Sequence, residues 1–192
     1  MFYKFVRALV YLVFRIIFRM RFEGLENIPK EGPVVLTANH IHICDAFLMA
    51  FCTKRQVHLI GKKELFDNKI TGPLCRGLGA FPADRNNPKD ISVFREALKI
   101  LKADKVLGIF FQGTRQENDD VENAKSGVAL FAVKGRAPIV PISITGHYHP
   151  FKKVYIKVGA PMDFSEYHGK KLGKEDLNVI VEEITRKVLE LR

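Results

Sequence analysis

The sequence predicts an α/β fold in which one domain holds a mostly parallel or mixed sheet flanked by helices. The chain has 192 residues, of which 47% are hydrophobic, and this is enough for one domain with a sizeable core. Short apolar runs rich in β-branched residues alternate with longer segments whose apolar residues recur at helical spacing. No repeat, low-complexity stretch or linker divides the sequence. Strands that alternate with helices are typical of a sheet covered by helices on both faces.

Residues 1–22 are predicted to form an amphipathic helix. On a helical wheel their basic residues fall within roughly 160° of one another. These basic residues are Lys4, Arg7, Arg15, Arg19 and Arg21, and residues 1–22 contain no acidic residue. The longest uninterrupted apolar run, Ala8 to Phe14, is much shorter than the about 20 residues of a spanning helix. The pattern favours a helix that lies in a membrane interface, on an anionic phospholipid surface. A surface helix packed on the protein's own core is the alternative.

Residues 23–192 are predicted to form the globular domain, whose strands are short apolar runs bounded by Gly, Pro or polar residues. The first run, Val34 to Ala38, follows a turn-rich stretch that contains Pro29 and Pro33. The other strands are predicted at residues 57–60, 77–82, 106–111, 139–145 and 154–159.

Helices are predicted between these strands, at residues 43–54 and 121–134 among others. One helix begins with Asn87 as its N-cap and Pro88 at its first position, a combination that helix starts favour. Its apolar residues recur at helical spacing: Ile91, Phe94, Leu98 and Leu101. The same spacing marks an amphipathic helix at the carboxyl end: Leu177, Ile180, Val181, Ile184, Val188 and Leu191.

The formal net charge is +10, and it favours an anionic partner. Nucleic acid is not the partner that the sequence favours, because there is no Trp and the basic cluster is interleaved with aliphatic residues. The three cysteines have no CxxC spacing and no cleavable signal peptide is evident, so a reduced cytoplasmic compartment is expected. Together with the first helix, this predicts a peripheral or monotopic protein on the cytoplasmic face of a membrane.

A histidine and an aspartate five positions apart follow the first predicted strand, in the segment from Asn39 to Asp45. A neutral imidazole accepts a proton from a hydroxyl at neutral pH, and a carboxylate on its other nitrogen fixes the tautomer. His40 and Asp45 are therefore the predicted catalytic pair. Since no GxSxG motif is present, the pair is expected to activate a hydroxyl of the substrate, without a covalent intermediate.

Basic residues in loops after other strands are predicted to bind a phosphate. Arg85 and Arg115 each follow an apolar run, and guanidinium groups hold phosphate with two hydrogen bonds. Lys62 and Lys63 add charge, and Gly79 and Gly113 let the backbone pass close to a ligand. A solvated surface charge is the alternative for each cation.

A metal site in the same segment is considered and not favoured. His40, His42 and Cys44 alternate, which places their side chains on one side of an extended segment. A closed site usually draws on two separated ligand pairs, and neither CxxC nor HExxH occurs elsewhere. No metal and no cofactor are therefore expected.

Four ordered blocks resemble those of the glycerolipid acyltransferases, and most closely the bacterial 1-acylglycerol-3-phosphate acyltransferases, or PlsC-like family. The first is the HX4D block, Asn39-His40 with Asp45. The second is Gly79 to Arg85, which ends in Asp-Arg. The third, Phe110 to Arg115, matches Phe-Pro-Glu-Gly-Thr-Arg in part, and the fourth is Ala137 to Ile142. The order and spacing of these blocks agree with the family from about Glu26 to Pro161.

The resemblance implies a reaction of phospholipid biosynthesis. His40, held by Asp45, deprotonates the 2-hydroxyl of 1-acylglycerol 3-phosphate (lysophosphatidic acid), which attacks the thioester of acyl-CoA or of an acyl carrier protein. Arg85, Arg115 and Lys63 hold the acceptor phosphate, and the product is phosphatidic acid. The thioester is a co-substrate and no cofactor is implied. The remaining motif residues support the site: Asn39, Gln112, Gly113, Thr114 and Pro141.

Three departures from the family pattern matter. Gln112 stands where the family has Glu, Phe111 where it usually has Pro, and His42 where it often has Ser. Gln keeps the carbonyl acceptor and loses the charge. If the family glutamate acts by hydrogen bonding, activity is kept; if its charge is needed, the chain is an impaired homologue that binds lipid. An acyltransferase with another acceptor, such as glycerol 3-phosphate or another lysolipid, is the other alternative.

Overall fold

The computed structural model describes residues 1–84, 91–112 and 127–192, and within them it contains a seven-stranded sheet and seven α-helices. The strands are β1 (Arg19–Glu23), β2 (Val34–Ala38), β3 (Val57–Lys62), β4 (Phe81–Ala83), β5 (Val106–Phe110), β6 (Ile139–Gly146) and β7 (Lys153–Val158). The helices are α1 (Phe2–Ile17), α2 (Asp45–Phe51), α3 (Lys63–Asp67), α4 (Thr71–Gly77), α5 (Ser92–Lys102), α6 (Gly127–Gly135) and α7 (Lys174–Glu190).

The sheet is mixed, with the strand order β1-β7-β6-β2-β5-β3-β4. Every neighbouring pair is parallel except β6 and β7, which are antiparallel and joined by the short turn of residues 147–152. Parallel neighbours need long crossover connections, and the helices supply them. The predicted α/β class, with a mostly parallel or mixed sheet flanked by helices, is confirmed.

Two hydrophobic clusters lie on opposite faces of the sheet. On β2, Val35 faces the cluster built from α5, α6 and α7, whereas Leu36 faces the cluster to which α1 and α2 contribute. Successive side chains of a strand point to opposite faces, so a central strand covered on both sides is mostly apolar. This is why residues 34–38 are apolar except for Thr37.

The N-terminal helix is shorter than the predicted range of residues 1–22. It ends at Ile17, Phe18 is extended, and Arg19–Glu23 forms β1, which runs parallel to β7 at the edge of the sheet. Exposure alternates along β1, with Met20 and Phe22 packed against the core. That period of two is the period of a strand. Residues 19–22 therefore belong to the sheet, and the helix prediction was wrong for them.

Helix α1 turns one face inward and leaves an apolar stripe outside. Phe14 is buried against Phe51 of α2, and the guanidinium of Arg7 donates to the carbonyl oxygens of Ala50 and Phe51 at 2.9 and 3.0 Å. The outward residues, three or four positions apart, are each more than half exposed: Phe2, Phe5, Leu9, Leu12 and Ile16. This arrangement differs from the predicted cationic side, because Arg7 satisfies carbonyls at the end of α2. In the described part of the chain, no helix has the length and apolar character needed to cross a membrane.

Other boundaries shift by a few residues, and two helices were not predicted. Helix α2 covers residues 45–51 of the predicted 43–54, and α3 and α4 follow β3 in a segment without clear helical periodicity. Helix α5 confirms the helix that contains Phe94 and Leu101, while its predicted N-cap Asn87 lies outside the described residues.

Candidate active site

The segments that follow β2, β5 and β3 meet at one edge of the sheet because these strands are parallel and in register. One row of that register joins β2, β5 and β3: Leu36, Gly108 and Leu59. The residues four positions beyond this row come from three separate segments of the sequence: His40, Gln112 and Lys63. Neighbouring strands lie about 4.8 Å apart. The segments that follow these strands therefore emerge side by side, as the sequence predicts.

His40 and Asp45 form a hydrogen-bonded pair. The Nδ1 atom of His40 lies 2.8 Å from Oδ2 of Asp45, whose side chain is fully buried, while the imidazole is 14% exposed. With the carboxylate ionised, Nδ1 carries the proton and Nε2 is left as the acceptor. The ring of Phe110 stacks on the imidazole, with centroids 3.9 Å apart and an interplanar angle of 10°. The pair has the orientation that a general base requires.

The carboxylate of Asp45 is satisfied on both oxygens. Oδ2 also accepts the backbone N–H groups of Ile41 and His42, each at 2.7 Å. Oδ1 accepts the hydroxyl of Tyr148, from the turn between β6 and β7. A buried carboxylate is tolerated only when its lone pairs are filled in this way. These contacts fix the acid, and through it the imidazole.

Tyr148 was missed by the sequence analysis. Its ring stacks on His42, with centroids 4.3 Å apart, and meets Phe18 edge-on at 5.7 Å. Burial raises the pKa of the Tyr148 phenol well above its usual range, and the charge of Asp45 and the hydrogen bond to it raise it further. The phenol therefore stays a donor to Asp45. No sequence signal marked it, since its contact with Asp45 spans 103 positions.

His42 supports the loop that carries the pair. Its Nδ1 accepts the backbone N–H of Cys44 at 3.2 Å, and its ring lies against Tyr148. Among the residues that the structure describes, no three His, Cys, Asp or Glu side chains are placed to hold one metal ion.

Asn39 joins the loop of residues 39–45 to the neighbouring strand β6. Its amide nitrogen donates to the carbonyl oxygen of Ile144, and its Oδ1 accepts the N–H of Ile144, both at 2.8 Å. The side chain is 1% exposed. The side chain of Asn39 thus replaces the backbone hydrogen bonds that β2 no longer makes to β6 beyond its end. These bonds fix the position at which the loop begins.

Gln112 contacts the loop of residues 39–45 directly. Its Oε1 accepts the backbone N–H of His40 at 2.9 Å, and the side chain is buried. A neutral amide oxygen is sufficient for this bond. The preceding residue, Phe111, is buried in the core, and its N–H donates to the carbonyl of Ala38 at 3.2 Å. A proline at that position has no N–H to donate.

The predicted phosphate-binding residues are only partly described. Nζ of Lys63 lies 3.2 Å from Oδ2 of Asp84, and this hydrogen bond and the charge of Asp84 raise the pKa of the exposed lysine. Asp84 immediately precedes Arg85 in the sequence. Four predicted site residues lie outside the described ranges: Arg85, Gly113, Thr114 and Arg115.

Pro141 lies in β6 and not in the loop around His40. It pairs in register with Thr37 on β2, and its carbonyl accepts the N–H of Gly159 at 2.8 Å. It is buried between these neighbours. Its support of the site is therefore the packing of a strand whose end, at Ile144, holds Asn39.

Comparison with known proteins places the chain in a family. Residues 19–145 match the family described as Acyltransferase. The chain is 33% identical over 192 residues to the 1-acyl-sn-glycerol-3-phosphate acyltransferase of Streptococcus pneumoniae, across 96% of this chain and 70% of that protein. It is 32% identical over 172 residues to the enzyme of the same description from Bacillus subtilis, across 86% of this chain and 84% of that protein.

A solved structure agrees with the sequence comparisons. The crystal structure of the 1-acyl-sn-glycerophosphate (LPA) acyltransferase PlsC from Thermotoga maritima is similar with a TM-score of 0.72 and 28% sequence identity. The similarity covers 99% of this chain and 80% of that one. Because the family match, the identities and the fold agree, the chain belongs to the acyltransferase family that includes these bacterial 1-acylglycerol-3-phosphate acyltransferases.

Proposed function

We propose that this chain transfers an acyl group from a thioester to the 2-hydroxyl of 1-acylglycerol 3-phosphate, giving phosphatidic acid. The relatives that share 32% and 33% identity with it are named for that acceptor. The observation that carries the proposal is the His40–Asp45 pair, held at 2.8 Å with the imidazole partly open to solvent. The thioester is acyl-CoA or an acylated carrier protein.

The pair performs one proton transfer in each direction. Nε2 of His40 takes the proton of the acceptor hydroxyl as its oxygen attacks the thioester carbonyl, and Asp45 stabilises the imidazolium that forms. The tetrahedral intermediate collapses as the C–S bond breaks. The imidazolium then gives its proton to the departing thiolate. One C–O bond forms, one C–S bond breaks and the proton moves from oxygen to sulfur.

Lys63 is proposed to bind the acceptor phosphate together with Arg85 and Arg115. The strands that precede His40 and Lys63 are separated by β5, so their ends lie two strand spacings, or about 10 Å, apart. Long side chains and a glycerol phosphate bridge such a gap. The ion pair with Asp84 keeps Lys63 charged, which suits a phosphate ligand.

Helix α1 is proposed to lie in the interface of the cytoplasmic leaflet, which makes the protein peripheral or monotopic. Both acceptor and product are lipids, so the site has to open at the bilayer. The stripe from Phe2 to Ile16 supplies apolar area that the protein's own core does not cover. Lys4 and Arg15 are exposed beside it and suit anionic headgroups.

The neutral Gln112 does not favour the impaired homologue, because its carbonyl oxygen accepts from the backbone of His40. Acyl transfer from radiolabelled acyl-CoA and from an acylated carrier protein tests the proposal. The acceptors compared are 1-acylglycerol 3-phosphate, glycerol 3-phosphate and monoacylglycerol. We expect His40→Ala to lower the rate by about 10²- to 10⁴-fold. His168→Ala, which removes an imidazole outside the pair, should leave the rate unchanged.

Each result has a defined meaning. Transfer to 1-acylglycerol 3-phosphate that His40→Ala abolishes supports the proposal. Transfer that prefers glycerol 3-phosphate replaces the acceptor and keeps the chemistry. A parent protein that transfers nothing from either donor, and that becomes active as Gln112→Glu, identifies an impaired homologue.

A further inference from the structure

We propose that a cleft beside the active site binds the phosphate of an anionic phospholipid headgroup. The cleft has a volume of about 590 Å³. It lies where β1, β6 and β7 reach the edge of the sheet. Its polar lining comes from these strands and the turn between β6 and β7: Arg19, Thr145, His147, Lys152, Lys153 and Tyr155. The inference goes beyond the proposed function, because it concerns a lipid other than the acyl acceptor.

The charge of this cleft is the first argument. Arg19 on β1 and Lys153 on β7 are direct partners in the strand register, and both are exposed. Like charges opposite each other on neighbouring strands are destabilising. Within the described parts of the chain, none of the ion pairs involves Arg19, Lys152 or Lys153. An anion bound between them would offset the repulsion.

The repulsion between Arg19 and Lys153 is confined to the end of the β1–β7 strand pair that borders the cleft. Further along the same two strands, Glu23 is the register partner of Lys157, which is a pair of opposite charges. The β1–β7 strand pair therefore has a pair of opposite charges away from the cleft and a pair of like charges in it. Arg21, two residues from Arg19 and on the same face of β1, is also exposed.

The apolar surroundings favour a lipid over a free phosphate. Phe151 lines the cleft with 67% of its surface exposed, and its N–H donates to the carbonyl oxygen of Ile17, the last residue of α1, at 2.6 Å. Ile16, also exposed, ends the apolar stripe of α1 at this point. Cations beside an exposed apolar ring match an amphiphile with an anionic head, because the ring can contact an acyl chain while the cations bind the phosphate.

The position of the cleft links it to the catalytic loop. His147 and Lys152 belong to the turn that carries Tyr148, and the phenol of Tyr148 donates to Asp45. A headgroup bound to this turn would contact the segment that holds the carboxylate of Asp45 in place. The cleft thus combines binding of a neighbouring lipid with support of the active site.

Titration of the full-length chain with dihexanoyl phosphatidylglycerol, kept monomeric, tests the site without a membrane. Isotope-labelled protein is followed by NMR, and no thioester is present, so the result does not depend on acyl transfer. We expect shifts of residues in the turn of residues 147–152. Dihexanoyl phosphatidylcholine and inorganic phosphate should bind on the order of tenfold more weakly, one lacking net charge and the other lacking acyl chains.

Two charge reversals of equal size separate the cleft from general electrostatic attraction. Arg19→Glu should weaken phosphatidylglycerol binding on the order of thirty-fold, as two units of charge are lost at the site. It should not lower the melting temperature, because Glu opposite Lys153 forms a pair of opposite charges. Lys102→Glu, an exposed position of α5, is the control and should change the affinity by less than about threefold.

Three results would overturn the inference. Equal losses in the two variants would mean that net charge alone attracts the lipid. Inorganic phosphate that binds as tightly as phosphatidylglycerol would make this a free-anion site. Phosphatidylglycerol shifts confined to residues outside the cleft would place the lipid elsewhere. A protein that acylates lysophosphatidic acid and gives any of these results keeps the proposed function and loses this site.

Discussion

Oε1 of Gln112 accepts the backbone N–H of His40 at 2.9 Å, which joins two family blocks that lie 72 positions apart in the chain. The bond needs an acceptor and no charge. It explains how the loop that carries His40 is held by a residue that differs from the family pattern. The ring of Phe110, two residues earlier, stacks on the imidazole of the same histidine. One segment thus fixes both the backbone and the side chain of His40.

Substitution of Gln112 should separate hydrogen bonding from charge. Gln112→Glu keeps an acceptor oxygen, so we expect it to retain most of the acyl-transfer rate. Gln112→Leu leaves the N–H of His40 without its partner, and we expect it to lose about 1–3 kcal/mol of unfolding free energy along with activity. Urea denaturation and initial rates measure the two effects. A large gain in rate for Gln112→Glu would show that the charge itself is needed.

Tyr148→Phe should change the pH dependence of the reaction. Its raised pKa keeps the phenol protonated through neutral and alkaline pH, so the hydrogen bond to Asp45 persists across the whole profile. Without that bond, the carboxylate attracts a protonated His40 more strongly, and the free enzyme loses its neutral base at a higher pH. We expect the acidic limb of kcat/KM against pH to move to higher pH.

A control distinguishes this effect from simple loss of packing. Tyr167→Phe removes a hydroxyl that has no contact with Asp45, and it should leave the profile in place. An unshifted acidic limb in Tyr148→Phe, with a uniformly lower rate, would mean that Tyr148 only packs against the loop.

The sequence predicts the His40–Asp45 contact well because its geometry is local. Asp45 reaches back to the backbone of Ile41 and His42 within one turn, so the HX4D spacing almost determines the arrangement. The position of Tyr148 depends on the antiparallel pairing of β7 with β6, which no local sequence pattern predicts. Long-range pairing also explains β1. Its sequence alone predicts a helix, but these residues form a strand because they pair with β7.

Arg7 shows the limit of a helical wheel. Its position among the basic residues of α1 predicted a contact with lipid headgroups, but it donates to two carbonyl oxygens at the end of α2. The wheel gives the direction of a side chain and does not show which neighbour lies there. Unsatisfied carbonyls at a helix end compete effectively for a guanidinium.

Asn39→Ala should destabilise the protein more than it alters chemistry directly. Both polar groups of the backbone at Ile144 lose their partners at a buried position, so we expect a loss of about 2–4 kcal/mol in unfolding free energy. The midpoint of urea denaturation measures it. Asn178→Ala, at an exposed position of α7, is the matched control and should be neutral or slightly stabilising. Equal midpoints for the two variants would contradict the role given to Asn39.

The outer stripe of α1 is expected to set membrane binding. Leu9→Glu and Leu12→Glu together place charge in the apolar stripe and should abolish sedimentation with vesicles that contain phosphatidylglycerol. Ala103→Glu adds a charge at an exposed position outside the stripe, and it should leave sedimentation nearly intact. If the stripe variant still sediments like the parent, then another surface holds the protein on the bilayer.

Lys63→Ala should weaken the acceptor and leave the chemical step nearly intact. The ammonium lies at the same edge of the sheet as His40 and is held by Asp84 at 3.2 Å, and its proposed ligand is the acceptor phosphate, not the reacting carbonyl. We expect KM for 1-acylglycerol 3-phosphate to rise about tenfold, with kcat changed little, because a charged hydrogen bond is worth about 1.5–3 kcal/mol. Lys62→Ala is the control, since that neighbouring lysine pairs with Glu64. Monoacylglycerol, which has no phosphate, should be acylated equally by the parent and by Lys63→Ala, and a matching loss with that acceptor would show that Lys63 shapes the site and does not bind the phosphate.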